Sequence, residues 1–170
     1  MSQAMISEHT TAPAVSPRSL LKLRSAFEIA GAVTFSLLAG LPVWIALAGW
    51  VSYYSRGSSL RDGAYNLACL VTGLGIGIVS QAAAVKWHPD LGMLAMPAAL
   101  VFAAASVWLM NVVTGVNNFR SYLIGIAVVI VAGMDTSLDS YLMLTAAVTL
   151  GAFVAALPDL IRQKRESEVE

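Results

Sequence analysis

Asn66, Gly73, Gly77 and Ser80 recur at steps of seven, four and three, which places them on one face of a helix with about 3.6 residues per turn. Thr145 and Thr149 share a face in the same way. Uncharged amides and hydroxyls, interleaved with side chains too small to close a gap, can hand hydrogen bonds to a small polar molecule where aliphatic side chains cannot. With Gln81, Asn111 and Thr114 they make a set of neutral rungs for a narrow pore, which Trp108 could constrict. The same residue types have a second use. Small residues three or four apart let helices approach closely, and Gly73-x-x-x-Gly77 and Ala147-x-x-x-Gly151-x-x-x-Ala155 also read as packing seams. Both readings stay open at the level of sequence.

Ionisable chemistry is sparse. Glu28 is the one ionisable residue within an apolar segment, and it follows Arg24 by four residues, the spacing of an ion pair on a helix near the interface. His88 lies in the Lys86-Trp87-His88-Pro89-Asp90 run, which reads as an interfacial turn. Asp135 or Thr136 reads as a cap for the following helix, and the alternative is that Asp135 and Asp139 form an outer vestibule that attracts cations. Ser59-Leu60-Arg61-Asp62 reads as a capping box. Trp87, Trp50, Tyr53 and Tyr54 fit interfacial belts, with Trp44 nearer a span interior. No metal-ligand spacing, catalytic carboxylate pair or nucleophile with a nearby base stands out, so neither an enzyme nor a metal or cofactor is expected. The single cysteine, Cys69, sits in an apolar run and reads as a buried structural thiol.

These residues must be carried by membrane helices. Of 170 residues 58% are hydrophobic and 12% charged, more apolar surface than a soluble domain of this size can bury. The net charge is zero, and no basic patch points to nucleic acid. Residues 1–17 are polar and read as a disordered tail, and residues 162–170 as a charged tail. The positive cluster Arg18, Lys22 and Arg24 precedes an apolar stretch without a convincing cleavage site, so it opens a retained first helix. Six apolar segments follow, at about 25–40, 42–55, 64–85, 91–114, 121–134 and 138–157. The second and fifth are short for a hydrocarbon core of about 30 Å, and Gly40-Leu41-Pro42 and residues 115–118 supply the breaks before them.

Shifting the chain by 76 residues superposes Gly49 on Gly125, Gly57 on Gly133, Tyr65 on Tyr141 and Gly75 on Gly151. The repeats, residues 18–90 and 91–161, hold three segments each, so they would lie inverted in the bilayer. Transporters and channels often follow this plan, with the solute site at the repeat interface. If all six segments cross and the N-terminus is cytoplasmic, nine of the ten basic residues fall inside and Lys86 alone falls outside. If the short segments re-enter instead, Arg56, Arg61 and Arg120 move outside. The expectation is an all-α integral membrane protein of six transmembrane helices in two inverted repeats. It would form, as a homo-oligomer in the lipid bilayer, a passive channel or facilitative carrier for a small-molecule solute that is polar and uncharged. The alternative is a non-conducting scaffold or accessory subunit.

Pro42-Val43-Trp44-Ile45-Ala46, Gly49-Trp50, Tyr53-Tyr54 and Gly57, then Asn66, Gly73 and the Phe119 to Gly125 run (FRSYLIG), resemble the small bacterial inner-membrane proteins of domain of unknown function 1097. The resemblance covers roughly residues 30–157 and implies a bacterial inner (cytoplasmic) membrane location without supplying a reaction. The chain departs from that pattern in its longer N-terminal tail and in Ser121-Tyr122, which stand where the family pattern leads one to expect Pro-Gly.

Overall fold

The computed structural model describes residues 17–57, 59–112 and 118–167, with side chains from Lys22 to Lys164; Thr114 lies outside the described residues. They are helical with no strand: α1 (Pro17–Leu38), α2 (Val43–Tyr53), α3 (Leu60–Leu91), a 3-10 turn (Gly92–Leu94), α4 (Ala95–Val112), α5 (Phe119–Ala132) and α6 (Leu138–Ser167). By length and composition two helical stretches suffice to cross a membrane: Leu60–Val112, which holds α3, the turn and α4, and Leu138–Lys164. α2 and α5 are shorter apolar helices.

Local chemistry explains the breaks. α1 ends in a Schellman motif: Gly40 takes φ +66°, its N–H bonds Leu37 O, and Leu41 N–H bonds Ser36 O. Pro42 then precedes α2, where its missing N–H goes unneeded. α3 opens on the expected cap, with Ser59 Oγ accepting from Asp62 N–H and donating to Asp62 Oδ2 at 2.7 Å. The cap of α6 is Ser137, which accepts from Ser140 N–H, rather than Asp135 or Thr136. A hydroxyl directly before the first helical residue reaches the third helical N–H better than either of those. α3 runs through the Lys86–Asp90 segment read as a turn, keeping Pro89 in its last turn. α6 continues past Pro158 into the charged terminus.

The core belongs to α2, α3, α5 and α6, through Ile45, Leu70, Leu74, Val128, Val129, Leu144, Ala147 and Val148. α2 packs closely on α6, and α5 on α3. α1 covers α2 and α6, while α4 covers α3. Glycines make both close pairs possible. A Cβ on Gly49 would enter the Val148 backbone and one on Gly151 the Ala46 backbone; Gly125 and Gly73 stand likewise against the backbones of α3 and α5.

Hydrogen bonds tie together the start of α1, the end of α2, the starts of α3 and α5 and the late part of α6. Arg24 reaches Asp159, Tyr53 reaches Asp159, and Asn118 bonds Asn66 and Ser55. The late part of α3 meets the start of α4 at the opposite end. Consecutive helices therefore alternate in direction.

Candidate functional site

Two polar assemblies occupy the end of the bundle that carries Arg24, Arg56, Arg61 and Arg120. The first is uncharged and joins α2, α3 and α5. Asn66, fully buried, donates from Nδ2 to the Tyr53 carbonyl at 2.8 Å. Its Oδ1 accepts from Asn118 Nδ2 at 2.6 Å. Asn118 Nδ2 also lies within hydrogen-bond distance of Ser55 Oγ (2.6 Å) and Ser121 Oγ (2.9 Å), while Ser121 Oγ pairs with Ser52 Oγ at 2.9 Å and Ser55 Oγ at 3.0 Å. An amide nitrogen has two hydrogens, so its three acceptors share them, and the hydroxyls can rotate to alternative arrangements of the same network.

The second assembly is charged and joins α1, α2 and α6. Glu28 is 6% exposed. Arg24 Nε donates to its Oε1 at 2.8 Å, while the Trp50 indole N–H (3.2 Å) and Tyr54 hydroxyl (2.9 Å) donate to Oε2. Arg24 and the Tyr53 hydroxyl also bind Asp159. The pair expected from the Arg24 to Glu28 spacing is present, with Trp50 and Tyr54 as further donors to its carboxylate and Tyr53 as a donor to Asp159. A buried carboxylate held by a cation and two neutral donors is a satisfied anion.

A third feature is defined by what lacks a partner. Among the described residues, Gln81 Oε1, Asn111 Oδ1 and Thr145 Oγ1 are buried without a hydrogen-bond partner, and the Tyr122 hydroxyl finds only the thiol of Cys69. Three of these four line one seam. On α4, Ala95, Ala99, Ala103 and Val107 are buried at steps of four, and the next residue in that series is Asn111. Gln81 borders a small void of about 10 Å³ with Gly77, Ser80, Met96, Ala99, Leu100, Ile126 and Ile130. Tyr122 packs with Cys69, Ala103 and Val107. Gln81, Tyr122 and Asn111 thus follow one another along the line where α4 meets the α3–α5 pair.

The remaining predicted residues are dispersed. Gly73 and Gly77 are buried against α5. Ser80 Oγ donates to Ile76 O of its own helix at 2.7 Å. Thr149 is exposed and borders an apolar groove of about 200 Å³ with Tyr53, Leu60, Gly63 and Phe153. Trp108 is 68% exposed, so it faces away from the seam. Asp135 and Asp139 are exposed at the end opposite the basic cluster. Asn66, Ser80, Thr145 and Thr149 do not meet in one cavity. Sequence reasoning missed Ser52, Ser55, Asn118 and Ser121. Its one pointer was Ser121-Tyr122 in place of Pro-Gly, since the added hydroxyl bonds two serines of α2 and its flank.

The described chain is an all-helical bundle with two long apolar helical stretches and shorter apolar helices, compatible with a membrane protein. Residues 26–163 match the family model described as protein of unknown function (DUF1097), and the chain belongs to that family. No curated protein and no solved structure matches it.

Proposed function

We propose that this protein is a six-span membrane protein of two inverted three-helix repeats, and that it passes small, polar, uncharged solutes passively along the seam between α4 and the α3–α5 pair. The row of oxygens on Gln81, Tyr122 and Asn111, the first and last unpartnered and the middle one facing only a thiol, carries this reading. Each such atom in an apolar interior costs about 1–3 kcal/mol, and buried polar groups without a protein partner are places where water or a ligand supplies one. The small Ala95, Ala99 and Ala103 leave room beside them. The void of about 10 Å³ at Gln81 holds at most one water, so the seam is occluded here and opens when α4, which touches α5 little, shifts. No buried charge lines the seam, so flow follows the solute gradient.

Several observations support the repeat and the topology. α2 and α5 begin at Val43 and Phe119, offset by the same 76 residues as the glycine matches. The contacts of α2 on α6 correspond under that shift to those of α5 on α3. Arg24, Arg56, Arg61, Arg120, Arg162 and Lys164 gather at one end, and Lys86, Asp90, Asp135 and Asp139 lie at the other. Under the positive-inside rule the basic end is cytoplasmic, with both termini, in the bacterial inner membrane. Homo-oligomerisation belongs to the same proposal, because α2 and α5, about 16 and 21 Å long by helical rise, fall short of the bilayer and leave helix ends that neighbouring copies would cover. A scaffold would need glycine seams free to dock a partner, whereas Gly49, Gly73, Gly125 and Gly151 are filled by the chain's own backbone.

The test is stopped-flow light scattering on proteoliposomes challenged with a panel of small neutral solutes and, separately, monovalent salts. Protein-dependent permeation of a neutral solute that falls in Asn111→Leu supports the reading. Impermeability to the whole panel with correctly inserted protein overturns it.

A further inference from the structure

We propose that the cavity between the end of α3 and the start of α4 binds a soft monovalent metal cation, Cu(I) or Ag(I), through His88, Met93 and Met96. This site stands independently of the permeation reading. The cavity measures about 400 Å³ and is lined by Gln81, Ala84, Val85, His88, Gly92, Met93, Ala95 and Met96. His88, Met93 and Met96 fall within nine consecutive residues across one turn. Gly92, at φ +54°, reverses the chain there, so that the last turn of α3 and the first of α4 border the same space.

The donor set selects the metal. Two thioethers and an imidazole are soft to borderline ligands that favour Cu(I) and Ag(I), whereas Mg²⁺, Ca²⁺ and Mn²⁺ favour the oxygens of carboxylate, carbonyl and water. No carboxylate lines the cavity, and a neutral nitrogen and two sulfurs offer no anionic ligand to balance a divalent charge. No hydrogen bond or ion pair engages the His88 side chain among the described residues, which leaves its ring nitrogens available. Met93 is 94% exposed, so a cation reaches the site without unfolding the bundle. Asp90, Asp135 and Asp139 at this end supply a field that draws cations in.

The test uses the purified full chain in detergent under oxygen-free conditions, with Cu(I) supplied as its coloured bicinchoninate complex and the loss of colour read as transfer to protein. Wild type is expected to withdraw about one Cu(I) per chain, and Met93→Leu with Met96→Leu to weaken binding by about tenfold or more, as does His88→Gln. These substitutions near the surface leave the elution volume and thermal midpoint unchanged. Cys69→Ser, which removes the one competing thiol, retains binding. No transfer to wild type, transfer unaffected by the methionine and histidine changes, or loss on Cys69→Ser overturns the proposal.

Discussion

Glu28 shows how one residue can be named correctly from sequence and still be understood only from the fold. Its spacing from Arg24 announces a pair, but Trp50, Tyr54 and Asp159 come from α2, the residue after it and α6. Contacts across 22 to 135 residues leave no local signature. The partly exposed Arg24 is screened, so much of the value of the assembly lies in the buried donors around the carboxylate. Glu28→Ala, which strands those donors, is expected to cost on the order of 2 kcal/mol and Glu28→Gln roughly half that, read as shifts of the thermal midpoint in detergent. The neutral network makes a second prediction. Asn66→Ala and Asn118→Ala each remove the same amide bond, so the double variant should lose less than the sum of the singles, with a coupling of about 1 kcal/mol in a double-mutant cycle. Asn66 drew notice because it lies on a periodic face of α3, whereas Asn118 precedes a helix and has no periodicity to betray it.

At the scale of elements, the breaks were legible because their causes are local. Gly40 and Pro42 ended one helix and began the next where their backbone chemistry requires it. The reach of α3 and α6 was not legible, because a charged run containing proline reads as a turn when a helix projecting beyond the apolar segment can carry the same residues. The matched glycines divide in role. Gly49 and Gly125 both sit against a neighbouring helix backbone, but Gly75, the partner of Gly151, has only the Tyr141 ring at 3.9 Å, and Gly73 makes the close approach instead. Gly49→Ala, Gly73→Ala, Gly125→Ala and Gly151→Ala should each destabilise by about 1–3 kcal/mol through overpacking, while Gly75→Ala should be near neutral. Thermal midpoints of the five variants check this directly.

For the whole molecule, the alternation of helix direction and the segregation of charge make a topological prediction. Asp135→Cys should react with a membrane-impermeant maleimide in intact cells, and Arg61→Cys only after permeabilisation; the native Cys69 is buried and silent. The all-helical class was readable because the long apolar segments are of helical length and are separated by short polar breaks, and the two long apolar helical stretches are compatible with a membrane protein. The seam between α4 and the α3–α5 pair was only partly readable. Gln81, Asn111 and Thr145 were picked out as polar residues in apolar segments, but which of them share a seam depends on how α4 packs, and Thr149 and Trp108 turned out to lie on the outside. The central claim is that the orphaned oxygens along α4 are kept for a passing solute at the expense of stability. The measurement that tests it most directly is the solute permeability and thermal midpoint of Gln81→Leu combined with Asn111→Leu, compared with wild type and Thr149→Trp. The account predicts that the double variant melts no lower than wild type, by removing unsatisfied polar atoms, and loses permeation, while Thr149→Trp keeps it. Undiminished permeation in the double variant would contradict the account.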